Sequence, residues 1–122
     1  MPDVLFLSSD LMFSSRVGGA AARANVSLQT AGSINVAQAY AVADAEVPRL
    51  VILDLSTPGL DVAASVAAWR ALAHPPRIVA YAPHVHEGKL AAARAAECDA
   101  VYTKGQFDSQ VDAILASANN NE

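Results

Sequence analysis

Four consecutive apolar residues, Leu50-Val51-Ile52-Leu53, run straight into a carboxylate, Asp54. A run of this kind, without alternation, reads as a β-strand buried on both faces, so the fold has to cover it on each side. That requirement points to a parallel sheet between two layers of helices. Asp54 then stands where the strand emerges. A carboxylate is costly to bury there unless it has partners or a chemical task. In open parallel sheets, ligands gather outside the carboxyl ends of the strands. Asp54 is the residue this fold has to account for.

The rest of the chain supplies the layers. Val4-Leu5-Phe6-Leu7 is a second buried-type run, followed by Ser8-Ser9-Asp10, a favourable helix start. A helix is expected over 11–24, with Phe13, Val17, Ala20 and Ala24 on one face and Asn25 as its cap. Gly18 and Gly19 weaken that helix, and close packing is the expected compensation. Further strands are expected over 26–30, 78–81 and 100–103, and further helices over 33–45, 61–73, 87–97 and 108–117. Val62, Val66 and Trp69 should face inward, and His74-Pro75-Pro76 should stop the third helix. Strands alternating with helices through short loops, with right-handed crossovers, predict an α/β doubly wound sheet of (βα)5 type.

The chain has 122 residues, enough for one core, so a single domain over 1–118 is expected, with a disordered tail at 119–122. Its net charge of −4 and scattered Lys and Arg speak against a nucleic-acid partner. A single cysteine, Cys98, excludes an internal disulfide and is expected as a small buried residue rather than a nucleophile. No apolar run is long enough to span a bilayer and no secretory leader is visible, so the expected location is the cytoplasm, away from membranes.

Four groups of residues should meet at the sheet's carboxyl edge: Ser8-Ser9-Asp10, Asp54, Ala82-Pro83-His84-Val85-His86 and Thr103-Lys104-Gly105. A carboxylate can accept a phosphoryl group if a divalent cation and a protein cation balance the charge. Lys104 is the candidate cation, and Asp10 the only other acid placed to help Asp54 hold a metal. The simpler readings are a structural ion pair between Lys104 and Asp54, and a helix-start role for Asp10. His84 and His86 on a rim loop are weak evidence for a transition metal.

The segment from Leu50 to Asp61, with Pro58 four positions after Asp54, resembles the acceptor segment of response-regulator receiver domains, the CheY-like superfamily. The segment from Ala92 to Lys104 is similar to that family's fourth-helix-to-fifth-strand segment, which ends in its lysine. The resemblance runs from Val4 to about Ala116. It implies a single flavodoxin-like (βα)5 domain with strand order 2-1-3-4-5, Asp54 as phosphoacceptor, and Lys104 and Ala82 at the positions that contact the phosphoryl group. Ser8, Ser56 and His84 fall on the site's rim.

The departures carry as much weight. Where the resemblance implies an acidic pair for magnesium, this chain has Ser8-Ser9; a one-residue slip gives Ser9-Asp10 and restores one acid. Asp10, Asp54 and Ser9 are thus a weak Mg²⁺ set, and no cofactor is certain. Ala82 stands where the family's switch Ser/Thr is implied, Val101 at the coupled aromatic, Gly105 at the Pro after the lysine, and Glu97 where a helix-closing Gly is usual. A left-handed Glu97 would store strain. This pattern resembles an atypical or pseudo-receiver: a non-enzymatic two-component signalling module working through protein contacts, with phosphorylation of Asp54 absent or inefficient. Its implied partner, a sensor kinase or another signalling protein, or a second copy, would use Leu90, Arg94, Val101, Tyr102, Gln106 and Val111. Two other classes fit the same edge: a competent phosphoacceptor served by a histidine kinase, and a small-molecule or nucleotide binder, which lacks a glycine-rich phosphate loop.

Overall fold

The computed structural model describes residues 3–32 and 47–119. Five strands form one sheet: β1 (Val4–Leu7), β2 (Leu28–Ala31), β3 (Leu50–Asp54), β4 (Arg77–Ala82) and β5 (Ala100–Thr103). All pairings are parallel and the order is β2-β1-β3-β4-β5, the expected doubly wound arrangement. The described helices are α1 (Leu11–Ala24), α2 (Val62–Arg70), α3 (Glu87–Ala95) and α4 (Lys104–Ala116). The helix expected over 33–45 lies outside the described residues.

Strand alternation divides the core in two. Val4, Phe6, Leu50, Ile52, Val79 and Tyr81 face α1 and α4, meeting Val17, Ala20, Phe107 and Val111. Leu5, Leu7, Val51, Leu53, Ile78, Ala80 and Ala82 face α2 and α3, meeting Val66, Trp69, Leu90 and Ala93. Continuing the first series one step past β1 and to the end of β3 gives Ser8 and Asp54. This parity sets which side chains share the site.

Several boundaries differ from expectation for physical reasons. The last helix begins at Lys104, not near 108, because Thr103 and Gln106 form a reciprocal capping box directly at the end of β5. The second strand begins at Leu28, since the Val26 N–H still bonds Ala21 O as α1 ends through the left-handed Asn25 (φ 58°). Gly18 is not explained by close packing: a Cβ added there would meet nothing within 4 Å. Asn119, expected in a disordered tail, donates from Nδ2 to Ala24 O at 2.7 Å. Glu97 is left-handed (φ 63°), and Arg70 donates to its carbonyl at 2.9 Å. On the expected partner face, Leu90 and Val111 belong to the core, leaving Arg94, Val101, Tyr102 and Gln106 at least partly exposed.

Candidate functional site

The end of β3 delivers Asp54 to the carboxyl edge, 6% exposed. The adjacent end of β1 delivers Ser8, 2% exposed, whose hydroxyl donates to Asp54 Oδ2 at 2.7 Å. The other oxygen, Oδ1, accepts from the Ser56 backbone N–H at 3.0 Å. Ser8 Oγ in turn accepts from the Asp10 N–H at 3.1 Å. Ser8 is therefore no rim residue but the direct partner of Asp54. Both hydrogen-bonding partners of the carboxylate are neutral, so the acid is held by geometry rather than by a cation.

Lys104 goes elsewhere. Its Nζ donates to Asp10 Oδ2 at 3.0 Å and lies 4.8 Å from the centroid of the Phe13 ring. The expected Lys104–Asp54 ion pair is overturned: the capping box winds Lys104 into the first turn of α4, which directs it toward the start of α1. Asp10 caps α1, its Oδ1 accepting from Phe13 N–H at 3.0 Å. That N–H, then Lys104, holds the Asp10 carboxyl below its ordinary range.

These contacts decide the metal question on the residues themselves. Both Asp10 oxygens are engaged, one by an N–H and one by an ammonium; Ser9 is exposed, and Ser8 offers a neutral hydroxyl already committed to Asp54. A hard divalent cation needs several oxygen ligands with charge to match, and Asp10, Asp54 and Ser9 do not assemble them. No cluster of three or more His, Cys, Asp or Glu suited to a metal occurs among the described residues. His84 is exposed and His86 half-buried, and neither belongs to such a cluster among the described residues.

Ala82 follows the β4 register partner of Asp54 by one residue. It is fully buried in the α2–α3 side of the core, while Asp54 has Tyr81 as its register partner on β4. Tyr81 is therefore the β4 residue on the Asp54 face, and reading the chain alone misses it. Its ring stacks on Phe107 (centroids 4.6 Å apart) and touches Phe13 (5.4 Å). Its hydroxyl is buried without a hydrogen-bond partner of good geometry, although Ser8 and Asp54 are polar neighbours. Burial, then the Asp54 charge, push its phenol far above the ordinary range. The tyrosine therefore stays protonated through any physiological pH.

No protein-family model and no curated protein matches the chain in sequence. Solved structures match it in shape. The receiver domain of NtrX from Brucella abortus is 20% identical with a TM-score of 0.76, covering 98% of this chain and 100% of that one. The Mn(2+)-bound form of response regulator Rcp1 is 18% identical with a TM-score of 0.76, covering 99% and 97%. A Burkholderia pseudomallei response regulator with a phosphorylated aspartic acid, a calcium ion and citrate is 17% identical with a TM-score of 0.70, covering 99% and 68%. The fold of this chain is thus the receiver fold of response regulators, the CheY-like arrangement.

Proposed function

We propose that this chain is a receiver-like signalling module of two-component type, acting by protein–protein contact in the cytoplasm, in which phosphoryl transfer to Asp54 is absent or inefficient. One observation carries this reading: the buried acceptor carboxylate has only neutral hydrogen-bond partners, Ser8 and Ser56 N–H, while Lys104 is held by Asp10. Phosphoryl transfer to a carboxylate gathers negative charge and needs cations to balance it. The neighbouring structures that contain manganese, or a phosphorylated aspartic acid and a calcium ion, are of other proteins. Here the residues at the edge do not reproduce such a set. Output then passes through a partner, a sensor kinase, another signalling protein or a second copy, at the face formed by α3, β5 and α4. Arg94, Tyr102 and Gln106 are the proposed contacts there.

The test is incubation of the purified protein with acetyl phosphate and Mg²⁺, followed by intact mass. The wild type and Asp54→Asn are expected to keep the same mass. The double variant Ser8→Asp/Ser9→Asp, which restores an acidic pair, is expected to gain an adduct that Asp54→Asn removes. A wild-type adduct lost in Asp54→Asn overturns the reading in favour of a competent phosphoacceptor.

A further inference from the structure

Four side-chain polar atoms are buried without a partner among the described residues: Ser56 Oγ, Thr57 Oγ1, Tyr81 Oη and His86 Nδ1. A buried hydroxyl that bonds nothing is a cost the fold carries, and such groups are rare enough to require a reason. Tyr81 Oη stands beside the acceptor: its polar neighbours are Ser8 and Asp54, and Tyr81 is the register partner of Asp54 on β4. Asp54 has one side-chain donor, Ser8, whose single proton goes to Oδ2 at 2.7 Å, while Ser56 N–H bonds Oδ1 at 3.0 Å. A carboxylate has roughly four acceptor sites, so Asp54 has room for a further donor and the Tyr81 hydroxyl has a proton to give. The Tyr81 ring is packed on Phe107 (4.6 Å, planes 21° apart) and on Phe13 (5.4 Å). Phe107 in turn meets Tyr102 edge-on at 6.3 Å, and Tyr102 is half-buried on the partner face proposed above.

We propose that Tyr81 is the reserve donor of Asp54, and that its ring carries a change at the acceptor to the partner face through Phe107 and Tyr102. While Ser8 holds Oδ2, the aromatic stack fixes the ring and its hydroxyl stays unbonded. When the turn after β1 moves and draws Ser8 away, Asp54 is left buried with the Ser56 N–H alone. A charge-assisted hydrogen bond then outweighs the best geometry of one aromatic pair, so the phenol pivots to Asp54. One buried group thus has two arrangements, which is what coupling between separate sites requires. Phe107 is fully buried and Tyr102 rests on it, so the Tyr81 ring cannot pivot in a close-packed core without displacing them. The place of the output rests on the proposed partner face; the exchange of donors does not, and it involves no phosphoryl group.

A double-mutant cycle in urea tests the exchange. In the wild-type background, Tyr81→Phe is expected to leave the unfolding equilibrium constant unchanged or lower it. In the Ser8→Ala background the same substitution should raise that constant by about tenfold, because the reserve bond goes with the hydroxyl. Ser8→Cys, which keeps the volume but is a weak donor, should show the same reversal where Ser8→Ala does not fold. ¹H–¹⁵N spectra test the path: Ser8→Ala should shift the Phe107 and Tyr102 amides, and those shifts should collapse when the Ser8 substitution is made in Tyr81→Phe protein. An equal effect of Tyr81→Phe in the two backgrounds overturns the proposal. So do Phe107 and Tyr102 shifts that persist without the Tyr81 hydroxyl, or their absence from the Ser8 variant. Neither readout depends on whether Asp54 takes a phosphoryl group, so failure here leaves the signalling reading standing.

Discussion

Asp99 and Asp54 lie at opposite ends of the same sheet and are treated in opposite ways. At the amino end, Asp99 Oδ2 accepts from the Ile78 N–H at 2.7 Å and from Arg70 at 3.3 Å. The same guanidinium donates to the Glu97 carbonyl, so one cation ties α2 to the turn between α3 and β5. At the carboxyl end, Asp54 is more deeply buried, has no cation, and shares its surroundings with every unpartnered buried side-chain polar atom among the described residues. One end is satisfied and therefore structural. The other carries polar groups that folding alone does not use, which is where a fold keeps its function.

The largest expected effect breaks or upholds that contrast. Asp99→Ala leaves the Ile78 N–H without its side-chain acceptor and Arg70 with the Glu97 carbonyl alone, and should cost about 2 kcal/mol in urea unfolding. Asp54→Asn keeps an amide oxygen for Ser56 N–H and a donor for Ser8, and should cost less than about 1 kcal/mol. If Asp54→Asn proves the more damaging, the carboxyl end is structural after all and the contrast fails.

Tyr81→Phe sharpens the same point with a pH signature. At neutral pH the change removes a buried hydroxyl with no partner, so stability should hold or rise by up to about 1 kcal/mol. In the folded protein the phenol's pKa lies above its unfolded value near 10, so its contribution is intact below that pH. Above it, the unfolded chain ionises first and wild-type stability falls as pH rises. Chemical denaturation between pH 9 and 11.5 should show this alkaline decline, and Tyr81→Phe should reduce it. Equal slopes for the two proteins would place the decline elsewhere.

Strain, in contrast to unpartnered polarity, sits at the amino end. Glu97 and Asn25 both close helices in the left-handed region, but only Asn adopts it readily. Glu97→Asn should therefore stabilise by about 0.5–1 kcal/mol, read as a higher urea midpoint at unchanged slope. No gain would mean that the Arg70 bond to the Glu97 carbonyl already offsets the strain.

The layered sheet was legible because both-face burial and short loops leave few arrangements, and Leu50–Asp54 alone demands layers on each side. The place of Asp54 at the carboxyl edge was legible for the same reason. Its partners were not. Asp54 meets Ser8 through alternation in two strands, and it meets Tyr81 rather than Ala82 through a register that only strand pairing fixes. A one-residue shift reverses the facing of every side chain, so the chain alone does not show that Tyr81 is the β4 register partner of Asp54. The Lys104–Asp54 ion pair fails for a related reason, Lys104 meeting Asp10 instead. The Thr103–Gln106 capping box was present in the chain, and recognising it would have placed the lysine in a helix turn facing Asp10.

Asp10–Lys104 is the smallest term and tests how the two ends handle charge. Asp10 has its pKa lowered chiefly by the Phe13 N–H and next by Lys104, so its contribution to stability is complete above the unfolded value near 4. It is lost as pH falls through the lower folded value. Asp10→Asn keeps a capping oxygen but removes the charge. Since both side chains are more than a third exposed, the loss at pH 7 should be no more than about 0.5 kcal/mol. The variant should also be less sensitive to acid between pH 4 and 2, and added salt should narrow its difference from wild type. If the difference at pH 7 instead approaches the effect of Asp99→Ala and resists salt, Lys104 is held as firmly as Arg70. Lys104 would then be fixed away from Asp54, and restoring the acidic pair at Ser8 and Ser9 would leave the acceptor without its cation.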